Sequence, residues 1–268
     1  MMKKNYILLL FIMFSGMYAF SYGNSEEYDF SYSGITEIEI NAGFLNVEVF
    51  GSRGSTVSME ALIKDSANFS VEHEKRGPLV RVYLDTSGIF SNFTLTGDQK
   101  LIFSLPRDIE YRINTASGSV YCENIDTEKG EIQTASGRVT IESSSGELDI
   151  ASSSGSIRIS NFEGNIAASS ASGRVHLSDT MGEIRIKTAS GSIRGENVNL
   201  TDDSSFQSVS GSIDVHLQND FNDLSFNLTS VSGSLHAGGI RGKKELSINR
   251  GPLWVKGKTI SGSQTYQE

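Results

Sequence analysis

One short phrase, Ala-Ser-Gly or a close variant, recurs seven times between Asn114 and Gly239. It ends at Gly118, Gly137, Gly155, Gly173, Gly191, Gly211 and Gly233. The gaps between successive glycines are 19, 18, 18, 18, 20 and 22 residues. A fixed period near 20 residues marks an array whose units cannot bury an apolar face alone and therefore stack on their neighbours.

Alignment on the glycine shows where the apolar groups fall. Two residues after it stand Val120, Val139, Ile157, Val175, Ile193, Ile213 and Leu235; four after it, Cys122, Ile141, Ile159, Leu177, Gly195, Val215 and Ala237. Five before it stand Ile113, Ile132, Ile150, Ala168, Ile186, Phe206 and Leu228, and regular units add Leu148, Ile166 and Ile184 seven before. Each unit thus holds two short runs of alternating apolar and polar residues. Alternate side chains of a strand point to opposite faces, so each run sends its apolar pair inward. The fold class predicted is all-β, a parallel β-solenoid of stacked two-strand coils of about 18–20 residues.

Parity breaks between the Thr or Ser three before each glycine and the residue two before it, which places a corner there. Glycine supplies a backbone that fits such a corner, and Gly146, Gly164 and Gly182 open the other run of their coils. Thr115, Thr134, Ser152, Ser170, Thr188, Ser208 and Ser230 form a hydroxyl ladder at the break. Its predicted role is hydrogen bonding at the corner between coils, since Ser and Thr favour turns; ordering water or binding glycan is the competing role. Cys122 falls on an inward position, which makes it a small buried hydrophobe that no internal disulfide can engage.

Residues 1–23 read as an export signal: Lys3 and Lys4, an apolar run from Tyr6 to Phe14, then small residues at Ala19, Ser21 and Gly23. A flexible lead-in over 24–34 follows, then a single solenoid domain over 35–258. Within it, 35–110 is less regular, 111–239 carries the repeats and 240–258 supplies capping strands; 259–268 is a polar tail. A turn-rich loop spans Ser87–Gly97. Lys243, Lys244, Arg250, Lys256 and Lys258 suit the exposed edge at the end of the stack, where charge discourages further strand pairing.

The net charge of −9, with no basic run, argues against nucleic acid and anionic lipid as partners. Membrane association would come only through a partner or an uncleaved signal. Outward positions carry mixed charge: Tyr121, Thr140, Arg158, His176, Arg194, Asp214 and His236 three after the glycine, Arg138 and Arg174 one after it, and Glu131, Glu147, Asp149 and Glu183 on the other run. His216 and His236 fall on near-equivalent faces of consecutive units and by that register flank one another. They lack the third ligand and carboxylate partner that a metal needs. No nucleophile elbow, calcium nonapeptide or phosphate loop is present. The expectation is no catalytic residue, no metal and no cofactor.

Leu105-Pro106, then Tyr111-Arg-Ile-Asn-Thr-Ala-Ser-Gly118, then the Ser-Gly-x-apolar repeats to Gly233 together resemble the DUF4097 family, with Gly43 to Val49 similar to its opening strand. The resemblance covers roughly Ile35 to Val255 and implies a toast-rack β-solenoid of the bacterial envelope, in a family described broadly as candidate adhesins. It transfers no active-site residue. The functional expectation is therefore an exported, non-enzymatic envelope or cell-surface protein, an adhesin or binding scaffold for an envelope protein, extracellular protein or glycan. An envelope-stress scaffold working through a membrane partner is the first alternative, and a polysaccharide-active β-helix enzyme the second.

Overall fold

The structure, a computed structural model, describes residues 30–63, 69–86 and 99–268. The export signal expected over 1–23 and the loop expected over Ser87–Gly97 lie outside these residues, as does the first part of the lead-in. Every element of the described chain is a β-strand, and all belong to one continuous sheet wound into a solenoid.

The strand Ile157–Ser170 contains most of one coil. Its first residues pair in parallel with 139–142 below and 175–178 above, and its last five pair with 148–152 and 184–188. Val139, Ile157, Val175, Ile193 and Ile213 face one another in register on the side that follows the glycine corner. Ile132, Ile150, Ala168, Ile186 and Phe206 do so on the side that precedes it. All ten are buried, and full burial of each branched aliphatic side chain contributes about 1.5–3 kcal/mol.

Between the two runs the structure adds a short third side. Phe162 and Glu163 pair with Thr180 and Met181, which pair in turn with Val198 and Asn199. The chain enters this side through Asn124, Ser143, Asn161, Asp179 and Asn197, all left-handed with φ between 50° and 60°. Asn and Asp tolerate that conformation better than other side chains. It leaves the short side near Gly146, Gly164 and Gly182, whose φ values of 116°, 134° and 151° favour glycine. Each coil is therefore triangular, with a post-glycine side, a short side and a pre-glycine side.

Both ends depart from chain order. The first coil, Glu37–Gly43 and Asn46–Ser52, is not outermost: its strands lie between Leu79–Asp85 with Lys100–Pro106 on one flank and Glu110–Thr115 with Val120–Glu123 on the other. Likewise Leu253–Thr259 lies between Ser204–Ser208 and Leu224–Ser230, and Gln264–Gln267 lies between Ile213–Leu217 and Leu235–Ala237. The final segment, expected to be a tail over 259–268, is thus half of an interior coil. Tyr266 explains why: its ring is fully buried between Phe206 and Phe226, at centroid distances of 5.9 and 5.7 Å. Gly257 on the same coil leaves the space that the Tyr266 hydroxyl and the Gln264 amide fill.

Antiparallel strands close the stack. Ser70–Arg76 and Thr56–Leu62 cover one end, while Glu245–Ile248 and Ile240–Gly242 cover the other. Capping therefore falls to the first part of 240–258, and Lys256 and Lys258 sit on an interior strand. Phe30–Ser33, at the end of the expected lead-in, adds to Thr56–Leu62 because Phe30 is buried and packs edge-on against His73 at 4.6 Å.

Candidate functional site: the corner ladder and the outward rows

The seven glycines predicted from the repeat line one edge of the solenoid, and Gly262 joins them. A Cβ on Gly137 would overlap the carbonyl oxygen of Gly118, and the same relation runs through Gly155, Gly173, Gly191 and Gly211. Gly118 itself stands on Leu45, Gly262 on Gly211, and Gly233 on Gly262. None of these eight has a positive φ. Glycine is demanded here by the approach of one coil's backbone to the next, not by the conformation of the corner. The sequence signal for Gly262 is the Ser-Gly-Ser phrase at 261–263, unaccompanied by an apolar residue five before it.

The hydroxyl ladder belongs to the same edge and faces inward. Each member bonds to the glycine three residues later in its own coil. Thr115, Ser152 and Thr188 donate to the carbonyls of Gly118, Gly155 and Gly191 at 2.9, 3.0 and 2.7 Å. Thr134, Ser170, Ser208 and Ser230 accept from the amides of Gly137, Gly173, Gly211 and Gly233 at 2.8–2.9 Å. Ser208 and Ser230 also donate across to Gly191 and Gly262 at 3.2 and 3.3 Å. All seven are buried, which leaves them no water or glycan to bind.

What faces solvent is sorted by side. On the pre-glycine side, Arg81, Glu39, Arg112, Glu131 and Asp149 follow one another in register. Arg81 Nε donates to Glu39 Oε2 at 2.8 Å and Arg112 Nε to Glu131 Oε2 at 3.0 Å. Hydrogen bonds from Arg112 and Gln133 hold the Glu131 carboxyl below its usual range. Asp149 ends the row, and its carboxyl is pushed up by partial burial and by the charges of Glu131 and Glu147, which outweigh Lys129.

The short side carries Asp126, Glu163 and Asp179. Ser145 Oγ donates to Asp126 Oδ1 at 2.9 Å and Asn197 Nδ2 to Asp179 Oδ1 at 2.9 Å. The post-glycine side carries Arg138, Arg158, Arg174, His176 and Arg194 together with Glu142 and Glu196; Tyr121, one level before Arg138, is bonded to Glu142 at 3.0 Å and to Glu123 at 3.1 Å. Desolvation is the largest influence on His176 and, with smaller contributions from Arg158, Arg194 and Arg174, outweighs Glu196 and lowers its pKa.

His216 and His236 do not flank one another. The inserted coil separates them: Gln267 lies beside His216, with ring nitrogen and amide nitrogen 2.7 Å apart, and Thr265 lies beside His236. Cys122 is buried among the apolar ladders, and burial pushes its thiol pKa up, away from a reactive thiolate. Among the described residues no three His, Cys, Asp or Glu side chains converge as metal ligands. Two shallow depressions of about 320 and 610 Å³ open to solvent, one along the short side at Ser143, Asn161 and Asp179, the other at Asn197, His216 and Gln218. The first is also lined by Asp126 and Glu163, and the second by Asp220 and Glu268.

The coil geometry recurs in solved structures. A candidate adhesin from Parabacteroides distasonis is similar with a TM-score of 0.53 and 14% identity, over 90% of this chain and 96% of that one. A candidate lipid-binding protein from the same organism is similar with a TM-score of 0.52 and 19% identity, over 91% and 95%. At these identities the likeness is one of fold. No curated protein matches the chain in sequence. The family model for Toastrack DUF4097 matches residues 35–261, and the chain belongs to that family.

Proposed function

We propose that this chain is an exported, non-enzymatic envelope or cell-surface protein that serves as a rigid binding scaffold of the adhesin type. One observation carries the reading: the outward side chains of stacked coils form straight rows in register, and the depressions among the described residues are open to solvent. Recognition of an extended partner needs only a firm, patterned surface. The basic, apolar and small-residue segments in succession at the N-terminus support export. A lipid ligand, suggested by the description of one structural neighbour, would need an enclosed apolar cavity; both depressions here are open to solvent.

Protease treatment of intact cells tests the reading. The expected result is loss of the protein from cells whose cytosolic markers survive. Full retention, with release only on lysis, would overturn surface display. Turnover of any member of a polysaccharide panel by the purified chain would overturn the non-enzymatic assignment.

A further inference from the structure

The post-glycine side concentrates cations in a protein whose net charge is −9. Arg138 and Arg174 stand one residue after their glycines in coils two apart, and Arg158 and Arg194 stand three after theirs in the coils offset by one. The four guanidiniums form a zigzag, each row recurring every second level, at about 9.6 Å if strands lie about 4.8 Å apart. His176 falls between Arg158 and Arg194 in register.

Little in the fold satisfies this charge. Among the described residues Arg138 and Arg158 make no ion pair, Arg174 Nε reaches only the Ser192 hydroxyl at 3.2 Å, and Arg194 Nε pairs with Glu196 at 2.9 Å. All four arginines are exposed. Like charges held on one sheet face are destabilising, so this arrangement makes no sense as a stabilising device. The contrast with the pre-glycine row, where signs alternate from Arg81 to Glu131 and each cation has a carboxylate, is direct.

We propose that the post-glycine side from Arg138 to Arg194 is a docking strip for a linear anionic glycan lying along the solenoid axis. Guanidinium groups bind carboxylate and sulfate in a planar, bidentate manner and suit repeated acidic sugars. Ser156 occupies the level between Arg138 and Arg174 and leaves room for a sugar ring, with a hydroxyl to bond it, and Ser192 follows Arg174 on the next level. The strip lacks the aromatic platforms on which single-stranded nucleic acid stacks. It also lacks the apolar groups by which a surface enters a bilayer. The inference rests on the binding-scaffold reading and gives it a ligand class and a location.

Titration of the full chain with chondroitin sulfate and hyaluronan tests the strip, with dextran, polyphosphate, duplex DNA and phosphatidylglycerol vesicles as comparisons. Saturable binding to one or both anionic glycans is expected, with none to dextran. The double variant Arg158→Ser/Arg174→Ser should bind at least about tenfold more weakly, while Lys256→Ser/Lys258→Ser on the other side binds as the parent does. Circular dichroism should be the same for all three. No glycan binding, equal binding of polyphosphate or DNA, binding of vesicles alone, or an unchanged affinity in the double arginine variant would each overturn the proposal. An arginine variant that fails to fold is replaced by Arg158→Gln/Arg174→Gln, for which the same loss is required. Surface display in the protease assay with no glycan binding would sink the strip alone; intracellular retention would sink the scaffold reading instead.

Discussion

The middle of the solenoid and its two ends build the same coil by different routes. From Gly130 to Leu217 the order of the chain and the order of the stack coincide, and each level pairs with the level before and after it. At the ends the orders part. The first coil is covered by a later segment, and the last coil enters between two earlier ones. Yet the glycine ladder runs unbroken through Gly211, Gly262 and Gly233. The ladder is a property of levels in space, and the chain can supply those levels out of sequence.

The largest test of that statement is truncation before Thr259. Removing 259–268 takes Gly262, Gln264 and Tyr266 from between two other levels, so Leu224–Ala237 should lose its footing together with the cap. We expect loss of the cooperative thermal transition, not a small shift, followed by calorimetry. Survival of an unchanged transition would mean that the inserted coil is dispensable.

In the middle, Ile157→Asp places an unpaired charge in the core, an expected cost of at least about 4 kcal/mol. A folded variant of unchanged midpoint in urea would refute the inward register. Gly173→Ala comes next. Its methyl would overlap the Gly155 carbonyl, and an overpacked site of this kind should cost about 3 kcal/mol or more. Gly34→Ala is the informative partner: its φ of 71° is strained for alanine, but no atom lies within 4 Å of the new methyl. It should cost clearly less, about 1 kcal/mol. Equal losses would mean that backbone conformation, and not contact between levels, explains the ladder.

The smallest effect is expected at Asp149, at the end of the alternating row. Its carboxyl is raised in the folded state, so the ionised form is the disfavoured one. That cost is fully present above the raised folded pKa and is relieved as pH falls through it toward the unfolded value. Asp149→Asn should therefore stabilise the chain at neutral pH by about 0.5 kcal/mol, limited by solvent screening. The gain should vanish on acidification. A variant no more stable than the parent at pH 7 would remove the row's like-charge penalty.

Much of the middle could be read from residues alone because each inward position repeats its chemistry at a fixed interval. Val139, Ile157 and Val175 announce one strand, and Ile132, Ile150 and Ile186 the other. The short side was less legible: its mark is a single Asn, Asp or Ser six after the glycine, as at Asn161 and Asp179, which periodic apolar counting passes over. The role of the glycines at the corner was legible, but its cause was not, since contact between backbones of separate levels leaves no local trace. The inserted coil was hidden because Gly257, Gln264 and Tyr266 exchange the usual sizes and polarity at three inward positions. The charge on the post-glycine side looked mixed along the chain. It became a zigzag of arginines only once register placed Arg138, Arg158, Arg174 and Arg194 on one flat side.

The inserted coil also sets an order of events during synthesis. Levels from Gly130 to Leu217 can zip as they emerge, each finding its predecessor already in place. Leu224 to Ala237 cannot take its position at that moment, because the strands it rests on, Leu253–Thr259 and Gln264–Gln267, do not yet exist. It must wait until those strands have been made. Closure of that end is consequently later than the zipping of the middle, and residues 259–268 act as its latch.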